Sequence, residues 1–157
     1  MISSRQRRGS VCDRPTCRDM YLLDTNVISG LRRRDRADQQ LLAWIDKVSP
    51  LDLWVSVITV MELDLGAGLI TRRNQSQGEM LRRWIDGQVL PSFGERVLPV
   101  DLLVARRRAD LHIPDARSER DALIGATALV HRLTVVTRNV ADFSAMGVPI
   151  IDPCNLP

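Results

Sequence analysis

No apolar run in this chain of 157 residues approaches the roughly 20 residues that would span a bilayer, so no membrane helix is expected. The opening residues, Met-Ile-Ser-Ser-Arg-Gln-Arg-Arg-Gly-Ser, lack the apolar core of a secretory signal, and the expectation is a cytoplasmic protein. Cysteine is scarce. Cys12, Cys17 and Cys154 make no paired framework, and the Cys12-x4-Cys17 spacing has no other Cys or His near it to complete four zinc ligands. Only two histidines occur, His112 and His131; both fall in helical patterns and read as surface residues. No serine or cysteine pairs convincingly with either, which argues against covalent catalysis. Lysine is nearly missing: Lys47 stands alone among 22 basic residues, the rest being arginine.

Arginine binds phosphate in a forked geometry that lysine does not offer, although genomic base composition produces the same bias. The sequence pI of 9.1 and net charge of +3 invite a nucleic-acid reading, but the charge is unevenly placed. Residues 1–19 hold Arg5, Arg7, Arg8, Arg14 and Arg18 against Asp13 and Asp19, which accounts for the whole +3. The remaining 138 residues carry 17 basic and 17 acidic side chains. Residues 1–19 are polar and without periodicity, so they read as a disordered basic extension that need not be native, with Met20 as the expected native start. Residues 20–157 read as one domain, since 45% hydrophobic and 26% charged residues are ordinary for a globular protein of this length.

Hydrophobic periodicity divides that domain into strands and helices in alternation. Met20 to Leu23 reads as a buried strand running into Asp24, and Val27, Ile28 and Leu31 mark a helix closed by Arg32, Arg33 and Arg34. A second helix carries Leu41, Leu42, Ile45 and Val48, and Pro50 ends it. Leu53 to Ile58 reads as a strand. A helix from Thr59 carries Met61, Leu65 and Leu69, with Gly66 and Gly68 admitting a close neighbour. After a loop at Arg72 to Gln75, a helix over Gly78 to Leu90 is stopped by Pro91. Arg96 to Val100 is an edge strand, demoted by Pro99. Asp101 caps a helix through Leu111 whose outer face includes Arg106, Arg107 and Arg108, and after a loop Ser118 opens another with Gly125, Ala126 and Ala128 facing inward. Thr134 to Thr137 is a strand, a helical turn follows Asn139, and Val148 to Ile151 is a last strand. Helices between apolar strands imply right-handed crossovers. The predicted class is α/β, a three-layer sandwich around a mostly parallel sheet of about five strands.

Four acids recur in one setting, an apolar run followed by a turn or cap: Asp24, Glu62, Asp121 and Asp142. Each has a structural explanation. Asp24 suits a helix N-cap, Thr59-x-x-Glu62 and Ser118-x-x-Asp121 match the capping box, and Asn139 precedes Asp142 at the same spacing. Together they are harder to dismiss, because parallel strands would bring them to one carboxyl edge, where open α/β sheets build ligand crevices. Four gathered carboxylates repel unless a cation or protons intervene, and helix N-termini offset only part of that repulsion. An oxygen-only ligand set suits Mg²⁺ or Mn²⁺.

From Met20 to Pro157 the chain resembles the PIN domain family, in its VapC and FitB-like toxin branch of type II toxin–antitoxin systems. The resemblance is carried by Leu22-Leu-Asp24-Thr-Asn-Val-Ile-Ser29, Ser56-Val-Ile-Thr-Val-Met-Glu62-Leu-x-Leu-Gly66, Asp121-Ala-Leu-Ile-Gly-Ala-Thr-Ala128 and Thr137-Arg-Asn139-Val-x-Asp142-Phe143, in the family's order. It implies a parallel sheet flanked by helices, Mg²⁺- or Mn²⁺-dependent RNA cleavage that inhibits translation, a homodimer, and a VapB-type antitoxin through which the pair assembles on operator DNA. It makes Asp24, Glu62, Asp121 and Asp142 the catalytic metal-site acids, although some relatives have the acid where this chain has Asn139. Thr25, Asn26, Thr137 and Asn139 would support the carboxylates or a water that attacks phosphorus in line. Arg32, Arg33, Arg34 and Arg138 are candidates for the RNA backbone, and the apolar residues Leu41, Ile45, Trp84 and Ile85 for dimer or antitoxin contacts, unless they are core. Three alternatives stand beside this: a non-catalytic nucleic-acid-binding module on the same fold, a DNA-directed nuclease, and a receiver-like phosphoacceptor. The last would need a lysine near the site, and the one lysine is Lys47.

Overall fold

The computed structural model describes residues 19–111 and 119–156. The first strand, β1 (Tyr21–Leu23), leads into α1 (Thr25–Leu31) and α2 (Gln39–Ile45). After a 3₁₀ turn at Pro50–Asp52, β2 (Leu53–Ser56) runs straight into α3 (Val57–Thr71). Helix α4 (Gln75–Trp84) continues through a π turn (Ile85–Val89) into α5 (Leu90–Phe93). Then follow β3 (Val97–Leu98), α6 (Leu102–Asp110), α7 (Glu119–His131), β4 (Thr134–Val136), α8 (Val140–Ser144) and β5 (Ile150–Ile151).

The five strands form one sheet in the order β3-β2-β1-β4-β5, and every pairing is parallel. The α/β sandwich expected from the periodicity is therefore present, with the sheet wholly parallel. Strand alternation builds a core on each face. Leu23, Val55 and Val136 pack with Val27, Leu41, Leu63, Leu81 and Ile85 on one side. Leu22, Val135 and Leu98 pack with Ala122, Ile124, Ala128 and Phe143 on the other. The small residues of α7 let it lie close: a Cβ on Gly125 would sit 2.5 Å from the Met146 sulfur. The chain steps outward one way from β1 to β2 and β3 and returns to add β4 and β5 on the other side. The switch point falls between β1 and β4, and such points open crevices at the carboxyl ends of the strands.

Several local expectations are corrected. β2 ends at Ser56, whose hydroxyl accepts the Ile58 N–H at 3.1 Å as the helix cap, so Thr59 lies inside α3 and caps nothing. Glu62 is the sixth residue of that helix, not its opening acid. Asp121 follows no strand directly, because α6 and the stretch 112–118 stand between β3 and α7; Ser118 and His112 lie outside the described residues. Pro91 does not stop its helix. It sits near the start of α5, where the π turn has already shifted the hydrogen-bond frame, and the helix ends at Gly94 with φ of 53°. Gly66 meets nothing, whereas a Cβ on Gly78 would lie 2.6 Å from the Thr71 Cα, so Gly78 is the glycine that brings α3 and α4 together. His131 is half-buried and its Nε2 is enclosed, not a surface residue. Leu41 and Ile85 are core, with Ile45 and Trp84 packed against it. The exposed apolar stripe is instead Val57, Met61, Leu65 and Leu69, four residues apart along α3. Among the described residues no helix is long and apolar enough to cross a membrane.

Candidate active site

At the switch point the end of β1 delivers Asp24, which is only 4% exposed. Its backbone N–H donates to the Val136 carbonyl at 2.9 Å and extends the sheet by one rung. Its side chain caps α1: Oδ1 accepts the Thr25 N–H at 2.8 Å. Oδ2 accepts two further donors, the Asn26 amide at 2.8 Å and the Thr137 hydroxyl at 2.7 Å. Thr137, fully buried at the end of β4, also accepts the Asn26 amide at 3.1 Å and the Asn139 N–H at 3.0 Å. The Asn26 Oδ1 accepts the Arg138 N–H at 3.2 Å. Thr25, Asn26, Thr137 and Asn139, expected as supporting residues, thus stitch the ends of β1 and β4 around one carboxylate.

Glu62 reaches the same place from α3. Its Oε2 accepts the Thr25 hydroxyl, and its Oε1 lies 3.7 Å from a guanidinium nitrogen of Arg120. Asp121, in the first turn of α7, completes the wall. Asp24, Glu62 and Asp121 line one open cleft of about 370 Å³ together with Thr25, Asn26 and Asn139. Leu65, Gly66, Leu69 and Arg120 line it as well and were not anticipated. Arg120 adjoins a motif acid, but its pairing with Glu62 joins residues 58 apart, which no local pattern announces.

Asp142 stands differently. It is exposed on α8 and is not part of the cleft wall, while Asn139 is. It still raises the carboxyl pKa of both Asp24 and Asp121 through its charge. The Asn139 side chain makes no cap bond to α8, so the Asn139–Asp142 spacing is not a capping box. Of the four arginines, Arg34 is held by Asp46 at 2.7 Å, and Arg138 is exposed outside the cleft wall. Arg32 and Arg33 line neighbouring grooves.

The acids bear the electrostatic mark of carboxylates crowded together. Asp121 is raised to about 6, first by burial and then by the charges of Asp24, Asp142 and Glu62, with Arg120 pulling the other way. Asp24 is also raised, chiefly by burial, against the lowering effect of its bonds from Thr137 and Thr25. Among the described residues no three acidic, histidine or cysteine side chains already converge closely enough to clasp an ion. The acidic donors of the cleft are all carboxylate oxygens, a donor type that suits Mg²⁺ or Mn²⁺.

Residues 21–148 match the PIN domain family. A VapC ribonuclease, Y4jK, of Sinorhizobium fredii is 38% identical over 139 residues, covering 85% of this chain and 97% of its own. A solved structure of FitAB bound to an IR36 DNA fragment matches at a TM-score of 0.77 with 34% identity, over 88% of this chain and 98% of that one. A toxin–antitoxin complex from Klebsiella pneumoniae matches at 0.60 with 29% identity, over 85% and 97%.

Proposed function

The chain belongs to the PIN domain family, and we propose that it is a metal-dependent ribonuclease toxin that hydrolyses RNA phosphodiester bonds and is neutralised by a VapB-type antitoxin. The observation that carries this is the cleft at the sheet's switch point, which Asp24, Glu62 and Asp121 line together, close enough for their charges to raise the Asp121 pKa. The similarity to a VapC ribonuclease and to a toxin–antitoxin complex supports it. In this reading the domain is residues 20–157, with residues 1–19 as an extension, and the protein works in the cytoplasm as a homodimer. It reaches operator DNA through its antitoxin, a reading supported by the similar FitAB structure being bound to an IR36 DNA fragment.

Asp24 and Asp121 would hold Mg²⁺ or Mn²⁺, with Glu62 and Asp142 completing the acidic set. When bound, such an ion supplies neutralisation of charge on the phosphorus oxygens and acidifies water. Thr137 and Asn26 fix the Asp24 carboxylate with two donors on one oxygen, which orients its other lone pairs. Thr25 does the same for Glu62. Asp121 is raised to about 6 by burial and by the charges of Asp24, Asp142 and Glu62, a crowding of negative charge that a bound cation would relieve. Among the described residues Arg120 is the cation in the cleft wall, and it offers a partner for substrate phosphate.

The test is cleavage of a pooled tRNA and rRNA substrate by partner-free protein with Mg²⁺, Mn²⁺ or EDTA. Discrete fragments that need metal and disappear in Asp24→Asn and Asp121→Asn are expected, a loss of at least about 10²-fold. Near-wild-type turnover in both variants would refute the assignment. Absence of cleavage under every metal, with DNA cut instead, would move the substrate class to DNA.

A further inference from the structure

Beside the acidic cleft, the end of α1 faces α4 and the π turn across a groove of about 440 Å³ lined by Arg32, Arg33, Met80, Arg83, Trp84 and Gln88. Its three arginines form no ion pair with any acid among the described residues, whereas the next arginine along, Arg34, is bound to Asp46. The triplet that closes α1 is therefore divided, two guanidiniums turned to a groove and one to a carboxylate. The groove is not isolated from the acids. A smaller depression of about 260 Å³ shares Thr25, Glu62 and Gly66 with the cleft, and Arg32 and Trp84 with the groove. Shared lining residues thus link the carboxylates to a patch of three arginines, with an aromatic side chain at the junction.

We propose that this groove is a subsite for single-stranded RNA flanking the phosphate under attack, with Arg33 and Arg83 on backbone phosphates and Trp84 beneath a base. The proposal rests on the ribonuclease reading and deepens it. An acidic centre repels the polyanion it must act on, so binding has to be supplied from beside it. Three arginines without an ion pair to a described acid supply it without sequence preference, although the Arg83 Nε also donates to the Glu79 carbonyl at 3.4 Å. Arginine's fork suits phosphate oxygens, and an aromatic face stacks any base. A duplex would not present unstacked bases to Trp84, so the chemistry selects a loop or single strand. Trp84 belongs here in spite of its packing against the core, because it lines both the groove and the connecting depression.

The experiment measures anisotropy of a fluorescent single-stranded oligoribonucleotide over a series of salt concentrations, using the full chain in an Asp121→Asn background. Adding Arg33→Gln with Arg83→Gln is expected to weaken binding tenfold or more and to flatten the salt dependence by about 1.4, since each single-strand phosphate contact contributes about 0.7. Trp84→Leu is expected to weaken binding about tenfold with the slope unchanged, and Trp84→Phe to restore most of it. Circular dichroism confirms that each variant is folded. Parent-like affinity and slope in the arginine pair overturn the subsite while leaving cleavage by the wild-type protein in place. Loss of affinity for a purified antitoxin with RNA binding retained also overturns it, assigning the groove to a protein. Failure of the parent to bind RNA, together with no RNA cleavage by the wild type, overturns the ribonuclease reading itself.

Discussion

Asp24 caps a helix and walls the cleft with the same carboxylate. One oxygen takes the Thr25 N–H; the other takes Asn26 and Thr137. The capping and functional readings of its motif are therefore compatible, because an N-cap directly after a parallel strand lies at the sheet's carboxyl edge by construction. Thr137→Val keeps the shape and removes one donor from a buried anion. We expect a loss of about 1–2 kcal/mol in urea denaturation and a further rise in the Asp24 pKa, accompanied by roughly tenfold slower RNA cleavage. Unchanged stability would mean the bond carries nothing. Asp121 offers a second check. Its folded pKa of about 6 lies above the ordinary 3.8, so between those values the folded chain binds more protons than the unfolded one. Stability attributable to this group is full below about pH 4 and is lost as pH rises through about 6. In EDTA, Asp121→Asn should therefore melt higher than wild type at about pH 7.5, by on the order of 1 kcal/mol after allowance for solvent screening, and show no advantage near pH 4. A variant that melts lower at the higher pH would contradict the repulsion account.

Helix α3 carries Glu62, and its position depends on how α3 meets its neighbours. At its C-terminal end it touches α4 through Gly78, where a Cβ would strike the backbone of Thr71. Gly78→Ala should cost about 1–3 kcal/mol by thermal denaturation and lower RNA cleavage as well, because α3 must shift. Gly66→Ala, with open space at its Cβ, should instead raise stability by about 0.5–1 kcal/mol. The opposite result for the pair would show that Gly66 carries the contact. Sequence spacing pointed to Gly66 and Gly68, since glycines within a helical pattern suggest close approach; whether a neighbour is there depends on where α4 folds back. The same holds at Pro91. A proline ends a helix whose hydrogen bonds follow the regular frame, and the π turn at Ile85–Val89 breaks that frame first.

The balance of charge over the chain supports a last expectation. All of the +3 excess lies in residues 1–19, while every residue assigned to the cleft and the groove lies between Asp24 and Asn139. A chain starting at Met20 should keep metal-dependent RNA cleavage within about twofold at 0.15 M salt and lose non-specific RNA affinity chiefly at low salt, where the Debye length is long. Filter binding and cleavage assays at two ionic strengths check this; loss of cleavage at both would place residues 1–19 within the working unit. The five strands, their mostly parallel character and the strand-end position of Asp24 were legible in the residues, because alternation, β-branched runs and caps are local properties with fixed periods, whereas the strand order was not. That Asp24, Glu62 and Asp121 line one cleft was expected from their motifs, although Glu62 lies inside α3 and not at its start. The pairing of Glu62 with Arg120, the place of Asn139 in the cleft wall with Asp142 outside it, and the division of Arg32, Arg33 and Arg34 between a groove and Asp46 were not. Those follow from how helices settle on the sheet, which is set by side-chain volumes brought together from distant parts of the chain, and no local period encodes it.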